Sequence, residues 1–92
     1  MQFTMARSLA GHDKDRLYVV TGTQGDMLCL VDGRIRTLDR PKLKKKKHLQ
    51  MVIRIPDEVK GIVRDTEVWE DHLIRKVIKE YTRLSNSFGD AD

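Results

Sequence analysis

DGRIRTLDRPKLKKKKHLQ, from Asp32 to Gln50, is the stretch around which the chain is arranged. Eight of the 18 Lys and Arg residues stand in these 19 positions, against two acids, Asp32 and Asp39. So dense a charge repels itself. It holds its shape only as a solvated loop or against an anionic partner. Pro41 has no backbone N–H to donate, which argues against a central strand there. Apolar alternation precedes the run and resumes after it, so residues 39–47 are expected to form a loop held at both ends by strands.

Upstream of the loop, Met27-Leu28-Cys29-Leu30-Val31 is short, apolar throughout and bounded by turn residues, the mark of a buried strand. The Asp32-Gly33 pair that follows is a hairpin signal, because a tight turn needs positive φ at its centre. In such a hairpin Arg34 and Arg36 share one face and Ile35 takes the other. Leu17-Tyr18-Val19-Val20-Thr21 is rich in β-branched and aromatic residues and reads as another strand. Phe3, Met5 and Leu9 suggest a first strand over residues 3–10, with Gly11 to Arg16 as a polar turn between the two.

Downstream, Leu49, Met51, Ile53 and Ile55 alternate with Gln50, Val52 and Arg54, which predicts a closing strand ended by Pro56. Asp57 to Val63 is expected to make one or two helical turns. Thr66 is a candidate N-cap for a helix over residues 66–85. Trp69, Leu73, Val77 and Leu84, widened by Ile74, Ile78 and Tyr81, form its apolar stripe. The expectation is a mainly β chain: a small barrel over residues 1–55, a C-terminal amphipathic helical extension over residues 56–85 and a disordered tail over residues 86–92.

At 92 residues the chain makes one domain with a small core. The net charge of +4 hides an asymmetry: residues 1–54 carry a balance of +7 and residues 55–92 a balance of −3. A basic front half points to a polyanionic partner. The single cysteine, Cys29, excludes an internal disulfide and a cysteine-based zinc site, and reads as a buried, inert thiol. No run of apolar residues suggests a secretory leader or a membrane span, and the expected location is the cytoplasm.

Three blocks in order carry a family resemblance. They are Ser8-Leu9-Ala10-Gly11-His12-Asp13-Lys14 with Tyr18-Val19-Val20, then Leu30-Val31-Asp32-Gly33-Arg34-Ile35-Arg36, then Arg40-Pro41-Lys42 ending in Lys47-His48-Leu49. Over about residues 5–50 the chain resembles KOW-domain proteins, in particular small bacterial relatives of archaeal and eukaryotic large-subunit ribosomal proteins. The resemblance implies an SH3-like five-stranded barrel and binding to RNA, usually ribosomal RNA, with the motif's invariant glycine at Gly11. Asp15 departs from it, standing where a turn glycine is expected. Aspartate tolerates left-handed geometry better than most residues. Its charge works against a close approach of RNA backbone at that point.

The residues expected to contact RNA are Arg7, Lys14, Arg16, Arg34, Arg36, Arg40, Lys42, Lys44, Lys45, Lys46, Lys47 and His48. Lysine is a flexible point charge suited to phosphates rather than base edges. Against this stand a solvated loop without a fixed partner and a nuclear-import signal, which basic runs of this length resemble. Arg34 and Arg36 have the further option of pairing with Asp13, Asp15 or Asp39 on the surface. His48 either bonds a phosphate or sugar or anchors the return of the loop. His12 with Asp13 and Asp15 offers too few ligands for a metal, and no cofactor is expected. The chain has no nucleophile–base–orienter set, so no enzyme activity is expected. Few aromatics are left to stack exposed bases, which favours structured RNA read by shape and phosphate. Acids on the helix disfavour an anionic membrane. The functional expectation is a ribosome-associated RNA-binding protein, with ribosomal proteins as further partners. The other reading is an adaptor that docks on a partner protein through the helix stripe.

Overall fold

A computed structural model describes residues 3–89, with side chains to Ser85. The chain is mainly β. It runs β1 (Thr4–Ser8), β2 (Leu17–Gln24), β3 (Met27–Val31), β4 (Lys42–Lys45), the short 3₁₀ turn η1 (Lys46–His48), β5 (Leu49–Met51), α1 (Asp57–Arg64) and α2 (Asp71–Gly89). The strands form one antiparallel sheet in the order β4-β3-β2-β1-β5. Its two outer strands, β4 and β5, are neighbours in the chain, joined only by η1. Three residues span the two edges only if the sheet curls toward itself into a half-barrel. A register shift between Val20 and Gly22 adds local bend, as an extra residue in one strand of a pair does.

Each face of the sheet has its own apolar cluster, as period-2 alternation requires. Met5, Val19 and Val31 pack with Val59 and Val63 of α1 and Leu73, Ile74, Val77 and Leu84 of α2. Ala6, Tyr18, Leu30 and Leu49 fill the inside of the curl, with Val20, Leu28 and Met51 around them. The apolar stripe of α2 is thus spent on the chain's own sheet.

Several sequence expectations change. β4 falls inside the segment read as a loop; Lys42–Lys45 pairs with Leu30–Met27 at the sheet edge, directly after Pro41. An edge position is where a preceding proline is tolerated. Arg34-Ile35-Arg36 forms no return strand but a turn closed by Asp32. β5 ends at Met51 rather than running to Ile55, and Ile53, expected on the same strand face as Leu49 and Met51, is 98% exposed. β1 offers Val52 N–H one more acceptor, the carbonyl of Met5, before the chain leaves for α1. Thr66 does not cap α2: its hydroxyl donates to the Ile62 carbonyl four residues back, at the end of α1. Trp69 lies between the helices, its ring 6.1 Å from that of Phe3. Cys29 is half-buried rather than buried. Of the tail expected over residues 86–92, residues 86–89 continue α2, and residues 90–92 lie outside the described part.

Asp15 takes φ 74, so aspartate holds a left-handed position where the KOW resemblance expects glycine. Its carbonyl accepts from Arg7 Nη1 at 2.9 Å and its N–H donates to the Ser8 carbonyl, which keeps the turn closed. Asp15→Val is expected to cost about 1–2 kcal/mol in a denaturant titration, the steric price of a left-handed β-branched residue, while Asp15→Gly costs nothing.

Candidate nucleic-acid interface

The twelve residues expected to bind RNA do not form one strip. Alternation along β4 sends Lys42 and Lys44 toward the side of the sheet that carries Leu28 and Leu30, and Leu43 and Lys45 to the other. Inside the curl the two lysines meet Asp13. Lys44 Nζ lies 2.7 Å from Asp13 Oδ1, 2.7 Å from Ser8 Oγ and 2.6 Å from the Ala10 carbonyl. Lys42 Nζ lies 3.0 Å from Asp13 Oδ2. Tyr18 Oη and Ser8 Oγ donate to the same carboxylate at 2.8 and 2.9 Å. Asp13 itself is 7% exposed.

Burial works to raise the pKa of Asp13, but bonds from Lys44, Lys42, Tyr18 and Ser8 together hold it well below the usual carboxylate range. Tyr18 is pushed above its ordinary value by burial, by its bond to Asp13 and by that residue's charge. Lys44 therefore has no charge to spare, and Lys42 little. Their role is architectural: they tie the edge strand β4 across the inside of the curl to the β1–β2 turn. Inward charges on an edge strand also discourage pairing with another chain. The same geometry commits the Asp13 carboxylate to these four partners, which leaves no pairing with Arg34 or Arg36.

The exposed cations fall into two groups. Around η1, Lys45, Lys46, Lys47 and His48 are exposed, and the three lysines make no hydrogen bond or ion pair through their side chains among the described residues. The His48 carbonyl accepts from Leu9 N–H at 2.9 Å, so the backbone of His48 anchors the loop's return and its ring stays outside. That bond sets η1 beside the β1–β2 loop, which adds Lys14 and Arg16, both exposed. Arg7 is half-buried and engaged with the Asp15 carbonyl.

The second group lies on the β3–β4 loop. Arg34, Arg36 and Arg40 are exposed. Asp32 Oδ1 accepts from the N–H groups of Arg34 and Arg36, both at 2.9 Å, and the Arg36 carbonyl accepts from Asp32 and Gly33 N–H. The loop is pinned to α2 twice: Arg75 Nη1 donates to the Gly33 carbonyl at 2.6 Å, and Leu38 N–H donates to Asp71 Oδ1 at 2.8 Å. This brings in two cations that the sequence does not single out as contacts, Arg75 and Lys79. They line a cleft of about 260 Å³ with Asp32, Arg34, Ile78 and Thr82. Their i, i+4 spacing was the available signal, hidden because residues 55–92 carry a net negative charge.

A scan against protein-family models finds no match, and no curated protein matches the chain. Among the described residues no helix is long and apolar enough to cross a membrane.

Proposed function

We propose that this chain is a non-enzymatic RNA-binding protein of the KOW type, whose curled sheet is an SH3-like barrel and whose exposed cations lie along phosphates of structured ribosomal RNA. It works in the cytoplasm in association with the ribosome. The observation that carries this reading is the group around η1. Four consecutive exposed residues, Lys45 to His48, end in a turn bonded to the start of the loop that carries Lys14 and Arg16, and no acid neutralises the three lysines among the described residues. Surface lysines of this kind engage phosphates without reading bases. The adaptor reading loses its main support, because the stripe of α2 is buried against Met5, Val19 and Val31.

The test is RNA affinity against salt. Each phosphate neutralised adds about 0.7–0.9 to the slope of log K on log salt. Lys46→Gln with Lys47→Gln is expected to lower that slope by nearly twice this amount and to leave thermal unfolding unchanged, since neither side chain has a partner among the described residues. A flat salt response in the wild type, or an unchanged slope in the variant, removes the basic patch from the function. Co-sedimentation with ribosomal subunits that disappears after nuclease treatment and at high salt is the matching result in lysate.

A further inference from the structure

Ile35 is 69% exposed, yet the turn that presents it is held by side-chain hydrogen bonds to its backbone. Asp32 Oδ1 holds two of its N–H groups, Arg75 holds the Gly33 carbonyl, and Gly33 is buried against α2. Fixing a turn in this way pre-organises whatever stands at its tip. What stands there is an apolar side chain between Arg34 and Arg36, neither of which bonds through its guanidinium among the described residues. Beside it opens the cleft lined by Arg34, Arg75 and Lys79. Asp32 also lines that cleft; its Oδ1 accepts from two N–H groups of the turn, and its charge is set against the three cations Arg34, Arg75 and Lys79.

An exposed apolar side chain flanked in the chain by Arg34 and Arg36, on a turn whose Arg34 lines a cleft with Arg75 and Lys79, suits a ligand with an uncharged face and an anionic edge. A nucleotide has both. Inside a paired helix its base faces are covered; at a bulge or loop they are open, and displacing such a base costs least. Isoleucine is among the side chains that proteins wedge against unstacked bases. We propose that the β3–β4 turn and the cleft beside it form a site for a single unpaired nucleotide of RNA, with Ile35 against the base or ribose and Arg34, Arg75 and Lys79 around the phosphate. This rests on the RNA-binding reading above. It adds to it that the preferred RNA carries a bulge or loop, and that the contact lies apart from the lysines of η1.

The probes are two RNA hairpins of the same stem, one fully paired and one with a single unpaired nucleotide bearing a fluorescent adenine analogue. The wild type is expected to bind the bulged hairpin about tenfold more tightly and to change the analogue's fluorescence. Ile35→Ser is expected to abolish that preference and the fluorescence change, with affinity for the paired hairpin and its salt slope intact. Arg34→Gln is expected to weaken the bulged complex further and lower its slope. Equal affinity of the wild type for both hairpins, with a steep salt response, overturns the nucleotide site and leaves the phosphate reading standing. Binding of neither hairpin overturns both. Self-association lost in Ile35→Ser, without discrimination between the hairpins, assigns the tip to a second copy of the chain and overturns the nucleotide site.

Discussion

Asp13→Ala will destabilise the fold by about 3–5 kcal/mol, the range for removing one partner of a buried ion pair. The reason is what stays behind. Lys44 has 12% of its side chain exposed, and without the carboxylate its ammonium keeps only Ser8 Oγ and the Ala10 carbonyl. Tyr18 Oη loses its acceptor as well. In a domain of this size each kcal/mol moves the unfolding midpoint by about 4–8 °C, so the effect is large in a thermal melt. The double variant Asp13→Ala with Lys44→Met is expected to recover much of the loss, since an apolar chain of similar length leaves no buried charge. No recovery would mean that the cost lies in the turn and not in the pair.

The same carboxylate sets the acid side of the stability curve. Its pKa in the folded protein lies below the ordinary value of about 3.9 that it regains on unfolding. Above that value both states are ionised and the stabilisation is fully present. As pH falls below it the unfolded chain takes up the proton first, and stability drops at up to about 1.4 kcal/mol per pH unit from this group. Asp13→Asn should remove this component: less stable near neutrality, and flatter between about pH 4 and pH 2 in denaturant titrations. Parallel acid limbs in the two proteins would show that Asp13 is not held low.

What the sequence displays and what it hides divide along one line. β2 is legible because β-branched and aromatic residues cluster there, β3 because it is a short, wholly apolar run between turn residues, and the stripe of α2 because Leu73, Ile74, Val77 and Leu84 repeat at helical spacing. β4 is illegible for the opposite reason. Its inward residues are Lys42 and Lys44, so its alternation is inverted, and the acid that makes this tolerable is 31 residues from Lys44 in the chain. A rule that sends charge outward must read such a segment as loop. Ile53 fails in the converse way: it continues the alternation of Leu49 and Met51, but β5 and its pairing with β1 end at Met51. Of the twelve proposed contacts, those around η1 lie in the open as local charge density suggests. The grouping of Arg34 with Arg75 and Lys79 depends on the packing of a loop against a helix some forty residues on, for which no local pattern exists.

Gly33→Ala is the second large effect, at about 2–5 kcal/mol, and it tests that packing. Two costs combine. Gly33 has φ 79, where an L side chain loses about 1–2 kcal/mol. A Cβ there would also stand 2.5 Å from the Asp71 carbonyl oxygen and 3.2 Å from Arg75 N. Both are backbone atoms of α2, so relief requires the loop to lift from the helix, at a cost typical of overpacking, about 1–3 kcal/mol. Lifting also endangers the bonds from Arg75 to the Gly33 carbonyl and from Leu38 N–H to Asp71. Two other glycines separate these contributions. A Cβ on Gly25, φ 62, meets nothing within 4 Å, so Gly25→Ala should show the conformational cost alone. Gly22 has open space and no positive φ, so Gly22→Ala should be close to neutral. The expected order of stability loss is Gly33 well above Gly25, and Gly25 above Gly22. Should Gly33 and Gly25 cost the same, the β3–β4 turn does not rest on α2, and the cleft formed by Arg34, Arg75 and Lys79 loses one of its walls.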